Sequence, residues 1–533
     1  MKPRRIPFHS RNAGPDTIER TPAALRQASF LFLRSSAGET FPLLVFASGI
    51  AYNRNIGHRG IIQRAQKETG PLSKTMAKDL TEGSVLKQLM VFAAPIVMAN
   101  VLMIVYTLVD TVVVGQYIGT SGLSAVASAG NITMLFNNFS MGVGGAGQVI
   151  ISQFQGKNDR DAIRRSIGTM FTFILLMALV LTAVALPLTR PLLRLIRTPG
   201  EAFDMAAAYA SCCFSGLLFT FGYSCVGAIL RGMGDSRHPL LFIALSTGLN
   251  IVLDILFVGP LNMSAFGAAL ATVLSQAVSF LFSICYLYRN REAFGFDFRR
   301  KSFRPDPGIL KMFLRLGFPM ALQFIAVNIS TMYVASCINS YGVVVSALTG
   351  IGDKLRMIVA ILGASVGTAA STMIGQNVGA GKYDRVRKIY GLTMLVLLVP
   401  CAILGLLGVI YPHAVVRLFD SDAAVLEMAP RFMVINLFTY MSFVLYQPFT
   451  SLINGIGHAS FALINGIIDG FVARIGGVWL LHSVLDRGCW GVWWGAALAS
   501  YLGATIGTIY FLSGRWRKKK LITAQEPPSG ERP

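Results

Sequence analysis

Long apolar stretches alternate with short polar loops from about residue 86 to residue 513. Because a transmembrane helix needs about 20 predominantly apolar residues, windows of that length predict twelve spans. In chain order, spans 1 to 12 cover residues 86–114, 121–153, 162–188, 203–229, 239–259, 264–288, 309–337, 342–374, 387–411, 424–452, 459–482 and 489–513. The pattern therefore predicts an all-α polytopic membrane protein with twelve transmembrane helices.

Composition supports a membrane protein. The 533 residues are 53% hydrophobic and 14% charged, whereas soluble domains are about 25% charged. A net charge of +22 would suggest a nucleic-acid partner in a soluble chain. Here the basic residues collect in short loops between apolar spans, as membrane topology requires. We therefore expect membrane lipid, and no nucleic acid, as a partner.

The loop charges also predict the orientation of the chain. Loops after even-numbered spans are basic, as in "GKNDRDAIRR", "RGMGDSRH" and "GKYDRVRK", whereas "QYIGTS", "GPLNMS" and "NSYG" on the other side carry no Lys or Arg. Basic loops remain cytoplasmic, so both termini are predicted to be cytoplasmic. One loop disagrees, because "TRPLLRLIRTPGE" places Arg190, Arg194 and Arg197 outside.

Five segments follow from these patterns. Residues 1–80 form an N-terminal extension, expected to be disordered or to result from a start codon assigned too early, since "MAKDLTEGSVLKQ" from Met76 reads as a natural beginning. Residues 81–290 are predicted to form an N-terminal six-helix bundle, and residues 309–514 a C-terminal one. Residues 291–308 form a basic cytoplasmic linker, and residues 515–533 a cytoplasmic tail.

The two halves resemble each other. "ISQFQGKNDRDAIRR" from residue 151 matches "IGQNVGAGKYDRVRK" from residue 374, and "AILRGMGDSRHPL" from residue 228 matches "SLINGIGHASFAL" from residue 451. Both displacements are the same (374 − 151 = 223 and 451 − 228 = 223). Six spans separate equivalent positions, so the repeat is parallel, about an axis along the membrane normal. Parallel repeats of this kind are typical of transporters.

Polar residues inside the spans mark a candidate ion site. Asp110 lies in span 1, Asn250 and Asp254 lie four residues apart in span 5, and Thr272 lies in span 6. Residues four apart share a helix face, and intramembrane carboxylates are costly enough to mark functional sites. Hard oxygen ligands suit a proton or a sodium ion. Asp254 alternatively caps its helix or faces interfacial water, because it lies near the outer end of span 5.

The second half lacks this set, because the repeat places Val334 and Gly477 where the first half has Asp110 and Asp254. Its own intramembrane charges are opposite-sign neighbours: Asp353 with Lys354 or Arg356, and Asp469 with Arg474. Mutual neutralisation is the favoured interpretation of these pairs, and a substrate role is the alternative. The ion site is therefore expected in the first bundle alone.

Other motifs narrow the chemistry. "GVGGAG" at residues 142–147 lies inside an apolar span and predicts close helix packing rather than a nucleotide site. Pro95 and Pro319 are equivalent in the repeats and are candidate hinges. Seven scattered Cys and six dispersed His indicate no metal site beyond sodium bound at Asp110, Asn250, Asp254 and Thr272. We expect no enzyme activity and no cofactor, and because the sequence has no phosphate loop, the energy source is an ion gradient or a partner.

Several of these stretches resemble the multidrug and toxic compound extrusion (MATE) transporters. They are "DLTEGSVLKQLMVFAAP", "YTLVDTVVVGQYIG", "AILRGMGDSRHPL", "NIVLDILFV" with "GAALATVLSQ", and "STMIGQNVGAGKYDRVRK". The resemblance implies two six-helix bundles around a V-shaped cleft and export of cationic or amphipathic compounds in exchange for protons or sodium ions. In the branch similar to DNA-damage-inducible protein F, it implies that Asp110, Asn250, Asp254 and Thr272 bind the coupling ion. Acids that other members carry in spans 7 and 10 are absent here.

The sequence thus predicts a monomeric, secondary active exporter of small amphipathic or cationic compounds in the bacterial cytoplasmic membrane, using protons or sodium ions. Candidate cleft residues are the polar or aromatic groups of spans 7 and 10: Gln323, Asn328, Tyr440, Tyr446 and Gln447. Tyr and Gln also serve as ordinary contacts between helices. The alternatives are a lipid-linked saccharide or lipid flippase of the same superfamily, an exporter of an endogenous metabolite, and a membrane-embedded enzyme.

Overall fold

The computed structural model describes residues 78–518 and residue 523, and this part of the chain is almost entirely helical. Twelve helical segments coincide in order with the twelve predicted spans. They are α1 Val85–Tyr117, α2 Thr120–Lys157, α3 Arg160–Leu195, α4 Gly200–Ser215 with Leu217–Gly232, α5 Arg237–Val258, α6 Ser264–Arg289, α7 Pro307–Asn339, α8 Val343–Gly379, α9 Tyr383–Ile410, α10 Ala423–Gly455, α11 Ala459–Val484 and α12 Gly488–Leu512. Residues 1–77 and most of the predicted tail lie outside the described residues.

Ten of these described helices are long and apolar enough to cross a membrane, and the two parts of α4 together make an eleventh. The remaining segment, α2, contains many Gly, Ser, Asn and Gln residues, which lower its hydropathy. Short helical turns occupy the loops at Arg291–Phe294, Arg300–Phe303, Pro412–Arg417 and Arg515–Lys518. An all-α fold with twelve helices is therefore confirmed.

Three helices differ from the regular spans that hydropathy predicts. α4 bends by 50° at Gly216, where an added Cβ would overlap the side chain of Val273. α11 contains two π-helical stretches, Ile468–Ile475 and Leu480–Val484. α3 continues to Leu195, seven residues beyond the predicted end, so Arg190 and Arg194 lie in its last turns rather than in a loop.

The repeat also appears in backbone conformation. Positive φ angles recur at the predicted displacement of 223 residues, at Gly119 (81°) and Gly342 (90°), and at Gly234 (88°) and Gly457 (75°). The first pair directly precedes α2 and α8, and the second pair ends the helices before α5 and α11. Left-handed backbone favours glycine. The same glycine turns therefore connect equivalent helices in both halves.

Two buried apolar clusters form the cores of the bundles, and α1 and α7 each contribute to both. The first part of α1 packs in the second cluster through Val85, Leu89, Phe92, Ala93 and Ile96, while Val113 and Val114 belong to the first cluster. Conversely, α7 places Ile309, Met312, Phe313, Leu316 and Met320 in the first cluster and Ile338 in the second. Pro95 and Pro319 lie at the ends of these crossed segments.

Glycines bring α2 and α7 into close contact. An added Cβ at Gly142 would lie 2.9 Å from the backbone nitrogen of Ala321, and one at Gly317 would lie 3.3 Å from Cα of Val143. Only hydrogen fits at such a distance, so the two helices cross nearly backbone to backbone. The interpretation of "GVGGAG" as a packing motif is confirmed.

Candidate functional site

The predicted ion-coupling residues come together inside the first bundle, where α1 packs against α5 and α5 packs against α6. Asp110 is 6% exposed, Asn250 1% and Asp254 0%, while Thr272 is half-buried. Asp110 and Asp254 lie within electrostatic range of each other. Because Asp254 has no exposed surface, the alternative that it faces interfacial water does not fit this structure.

A hydroxyl at the centre of the cluster links three helices. The Oγ1 atom of Thr272 donates to the carbonyl of Ala268 at 3.1 Å and accepts from Nδ2 of Asn250 at 3.4 Å. Because Thr272 already donates its hydroxyl proton to Ala268, it accepts the hydrogen bond that joins it to the hydroxyl of Tyr106 at 3.2 Å. Tyr106 was not among the predicted site residues, although it lies four residues before Asp110 and so shares its helix face.

Four oxygen atoms of this cluster are buried without a hydrogen-bond partner among the described residues. They are Oδ1 of Asp110, Oδ1 of Asn250, and both carboxylate oxygens of Asp254. Buried polar atoms are nearly always satisfied in folded proteins, and all four of these are acceptors in the charged carboxylate and amide forms. A bound proton, or a hard cation that prefers oxygen ligands, would satisfy these four acceptor oxygens.

A small cavity of about 370 Å³ adjoins the cluster. Tyr106, Asn250 and Thr272 line it together with Thr247 and Gln276, and its described lining contains no Lys or Arg. We refer to it as the first-bundle cavity. The cavity therefore reaches the cluster through Asn250 and Thr272, whereas Asp110 and Asp254 are not in its described lining.

A larger cavity of about 1100 Å³, the second-bundle cavity, lies between α7, α8, α10, α11 and α12. Of the five predicted cleft residues, Tyr440 lines it, and so does Val334, the position equivalent to Asp110. The cavity also exposes Asp353, Arg356 and Arg474. The sequence argument treated these charges as neutralised pairs, and the ion pairs Arg356 with Asp353 and Arg474 with Asp469 are both formed, at 2.9 Å each.

The other four predicted cleft residues make contacts within or between helices. Gln323 lies against Gly466, and Gln447 lies against Gly367. Asn328 donates to the carbonyl of Phe324 one turn earlier at 2.9 Å, and the hydroxyl of Tyr446 accepts from Asn465 at 3.2 Å. These contacts fit the alternative that the side chains hold helices together, and a substrate role for them stays a prediction.

Hydrogen bonds between the bundles occur towards the basic-loop end of the helices. Gln148 of α2 donates to the hydroxyl of Thr372 of α8 at 2.7 Å, and Asn100 of α1 donates to Ser365 at 2.9 Å. Just before α1 begins, the carbonyl of Gly83 accepts a hydrogen bond from Arg385 of α9 at 2.8 Å. These bonds join the bundles at the side that carries "GKNDRDAIRR" and "GKYDRVRK".

The sequences of known proteins align with most of this chain. It is 29% identical to the probable multidrug resistance protein YpnP of Bacillus subtilis over 447 residues, which cover 84% of this chain and 99% of that protein. It is 24% identical to the probable multidrug resistance protein NorM of Thermotoga maritima over 445 residues, covering 82% and 95% of the two chains.

Solved structures share the fold. A MATE family transporter of the MOP superfamily in an outward-facing conformation superposes with a TM-score of 0.77 at 22% identity, covering 85% of this chain and all of that one. A MOP superfamily transporter from Pyrococcus furiosus gives a TM-score of 0.76 at 23% identity, with the same coverage. The MatE family model matches twice, at residues 95–256 and 319–479, once in each repeat and over more than half of the chain. The chain therefore belongs to the MatE family, the MATE transporters.

Proposed function

We propose that this MATE transporter is a secondary active exporter that moves cationic or amphipathic compounds out of the cell in exchange for protons or sodium ions. The observation that carries the proposal is the cluster of buried, unpartnered oxygens on Asp110, Asn250 and Asp254. Relatives such as YpnP and NorM, described as probable multidrug resistance proteins, support export of diverse compounds.

The ion drives export only if it binds one conformation more tightly than the other. A ligand shifts a conformational equilibrium by its differential affinity, and the same coupling acts reciprocally on the second ligand. In this proposal the outward-facing state binds the ion at Asp110 and Asp254 and releases the exported compound. Return to the inward-facing state releases the ion into the cytoplasm.

Helix α1 is the element that connects ion binding to the rest of the molecule. Its later part carries Asp110 and packs in the first core, whereas its earlier part packs in the second core. A shift of α1 on ion binding therefore changes the contact between the bundles as well as the first-bundle cavity. Pro95 interrupts the backbone hydrogen bonding of α1 where it leaves the second core, and we propose it as a hinge, with Pro319 as its counterpart in α7.

Membrane orientation follows from the charge of the loops. We infer that both termini are cytoplasmic in a bacterial cytoplasmic membrane, and that the monomer is the transporting unit. The hydrogen bonds between Gln148 and Thr372 and between Arg385 and Gly83 then lie on the cytoplasmic side. Closure at that side corresponds to an outward-facing state, so alternating access requires these bonds to break.

The lipid-linked saccharide flippase is the weaker alternative. A pyrophosphate substrate needs several unpaired basic side chains in the transport cavity. The described lining of the first-bundle cavity has no Lys or Arg, and Arg356 and Arg474 of the second-bundle cavity are each paired with an aspartate. Arg231, the basic residue near this region, donates to Oε1 of Gln148 at 3.0 Å. Since Gln148 also contacts Thr372, Arg231 supports the contact between the bundles.

The test is efflux of a fluorescent organic cation from cells that express the full chain, with the proton and sodium gradients collapsed separately. We expect wild-type efflux to depend on one gradient and Asp110→Asn to lose that dependence. Asp204→Asn is the matched control, since this carboxylate is 84% exposed in an ion pair with Arg190. Wild-type efflux that ignores both gradients would refute ion coupling, and normal coupling in Asp110→Asn would refute the site.

A further inference from the structure

The second-bundle cavity contains charged side chains that ion coupling in the first bundle does not use. Asp353 and Arg356 of α8 face it from one side, and Arg474 of α11 faces it from another. Aromatic rings complete the wall: Phe432, Tyr440, Phe443 and Trp493. Two cations and one anion therefore border a space whose lining also includes four aromatic rings.

The π-helical stretch of α11 positions Arg474. Residues five apart on an α-helix point about 140° away from each other, at roughly 100° per residue. In the π-helix Ile468–Ile475, hydrogen bonds connect residues five apart and place them nearly one above the other. Asp469 and Arg474 consequently share a face and pair at 2.9 Å. π-helical turns are rare and occur often at functional sites.

This ion pair leaves bonding capacity unused. The Asp469 side chain is 2% exposed and that of Arg474 18%. Arg474 bonds Asp469 through one nitrogen, and its other terminal nitrogen reaches Oγ1 of Thr331 only at 3.5 Å. Oδ1 of Asp469 and Nε of Arg474 are buried without partners among the described residues. Each terminal nitrogen of a guanidinium carries two N–H groups and makes one hydrogen bond here, so Arg474 retains terminal N–H groups for a ligand.

Arg356 is held more loosely on the facing helix. Its Nε and Nη2 atoms both donate to Oδ1 of Asp353, at 3.2 and 2.9 Å. The two side chains are 46% and 58% exposed and lie three residues apart on α8. Exposed pairs of this kind contribute little to stability. A ligand carboxylate can therefore take the place of Asp353 at a small energetic cost.

Tyr440 supplies a third donor. Its side chain is 2% exposed, its hydroxyl has no hydrogen-bond partner among the described residues, and it lies within electrostatic range of Arg356. A buried hydroxyl without a partner costs free energy, which an acceptor from a ligand would recover. Arg356, Arg474 and Tyr440 thus present three donor groups on the cavity wall, where Asp353 is the carboxylate of the described lining.

We propose that the second-bundle cavity binds the anionic group of an amphipathic molecule, with Arg356, Arg474 and Tyr440 donating hydrogen bonds to it. The aromatic rings hold the apolar body of the molecule. This inference rests on the proposed export function and deepens it, because it assigns to the transported compounds a class that carries a carboxylate as well as a cationic or apolar part.

Two matched probes test the proposal: a rhodamine with a free carboxylate and the methyl ester of the same dye. Binding to the purified full chain in detergent is measured by fluorescence anisotropy, with no ion gradient. A charge-assisted hydrogen bond is worth about 1.4 kcal/mol or more, so the carboxylate probe is expected to bind at least about tenfold more tightly. Equal affinity of the two probes would overturn the proposal.

Variants then locate the site. Arg356→Gln, and the double variant Arg474→Gln with Asp469→Asn, should each raise the Kd of the carboxylate probe about tenfold and leave that of the ester within about twofold. The double variant removes both buried charges together and so avoids an unpaired carboxylate. Arg431→Gln is the control, because Arg431 stacks on Trp490 outside the cavity. Equal losses for both probes, or a normal carboxylate Kd, would refute the assignment.

A lipid phosphate shares the anionic chemistry, and competition separates the two sources. If phosphatidylglycerol in mixed micelles fails to displace the carboxylate probe, the ligand is a soluble compound. If it displaces the probe where phosphatidylcholine does not, the assignment of a transported carboxylate is wrong and the site belongs to lipid. Probe binding to the wild-type chain is measured in detergent without an ion gradient, so loss of coupled efflux in cells and loss of anion binding are distinguishable failures.

Discussion

Gln153 and Gln376 occupy equivalent positions in the two repeats (376 − 153 = 223) and make reciprocal hydrogen bonds between the bundles. Nε2 of Gln153 donates to the carbonyl of Gly455 at 2.9 Å, and Nε2 of Gln376 donates to the carbonyl of Gly232 at 3.3 Å. The two acceptors are also equivalent (455 − 232 = 223). The bundles are therefore joined by a symmetric latch at the basic-loop end.

Glycine is required at this latch. An added Cβ at Gly156 would overlap the carbonyl oxygen of Gln376, and one at the equivalent Gly379 would overlap that of Gln153. Gly156→Ala should therefore push α2 and α8 apart and favour the state in which the latch is open. Overpacking costs about 1–3 kcal/mol, which corresponds to a shift in the equilibrium of roughly 5- to 150-fold.

Electron–electron distance measurements between spin labels at the exposed positions 160 and 387 would detect this shift, in a chain whose seven Cys are replaced. Gly391→Ala is the control, because no atom lies within 4 Å of an added Cβ there. An unchanged distance distribution in Gly156→Ala would show that the latch does not control opening.

Tyr106 should affect the affinity for the coupling ion. Tyr106→Phe removes the hydroxyl that donates to Thr272, and one such bond contributes about 0.5–1.5 kcal/mol. We expect the ion concentration for half-maximal efflux to rise roughly twofold to twelvefold, with maximal efflux little changed. Tyr117→Phe, at the exposed end of the same helix, should have no effect. A lower maximal rate at an unchanged half-maximal concentration would exclude a role for Tyr106 in ion affinity.

Helix spans and helix faces follow from local sequence, whereas contacts between distant helices do not. Hydropathy predicted the spans because each helix must bury about 30 Å of apolar length in the bilayer, and the spacing of Asn250 and Asp254 placed them on one face. The contact between Tyr106 and Thr272 joins residues 166 apart, so helix periodicity alone does not specify it. The π-helical turn that pairs Asp469 with Arg474 depends on neighbouring helices and leaves no recognisable pattern in the sequence.

A larger side chain at the close contact between α2 and α7 should lower the stability of the protein. Gly142→Ala would place Cβ 2.9 Å from the backbone nitrogen of Ala321, where no side-chain rotation relieves the overlap. We expect a loss of about 1–3 kcal/mol in the free energy of unfolding, seen as a lower melting temperature in detergent by tryptophan fluorescence. Gly130→Ala on the same helix has open space around it and should melt like the wild type. Equal melting temperatures for the two variants would mean that the helices adjust without cost.

The carboxylate of Asp297 is one of the contacts that hold the linker between the bundles against α3. Asp297 accepts from the hydroxyl of Ser302 at 2.5 Å and forms an ion pair with Arg164 of α3. The hydrogen bond from Ser302, with smaller contributions from the backbone of Arg299 and the charge of Arg164, lowers the pKa of Asp297 below its usual 3.8. Because the pKa of Asp297 is lower in the folded protein, its charged carboxylate stabilises the folded linker at any pH above the pKa of the unfolded chain. This stabilisation is lost as the pH falls through the folded pKa.

We therefore expect the amide protection of residues 291–306 to stay constant from about pH 8 to pH 5 and to fall only below about pH 4, as measured by hydrogen exchange corrected for intrinsic rates. Asp297→Asn should produce the low-protection state already at pH 7. Trypsin should then cleave the linker several times faster and divide the chain into two fragments, one for each bundle. Asp204→Asn serves as the control, because this carboxylate is also paired with an arginine but is exposed and lies outside the linker. If Asp297→Asn protects the linker as the wild type does, the carboxylate does not hold it, and the short turn at Arg300–Phe303 suffices.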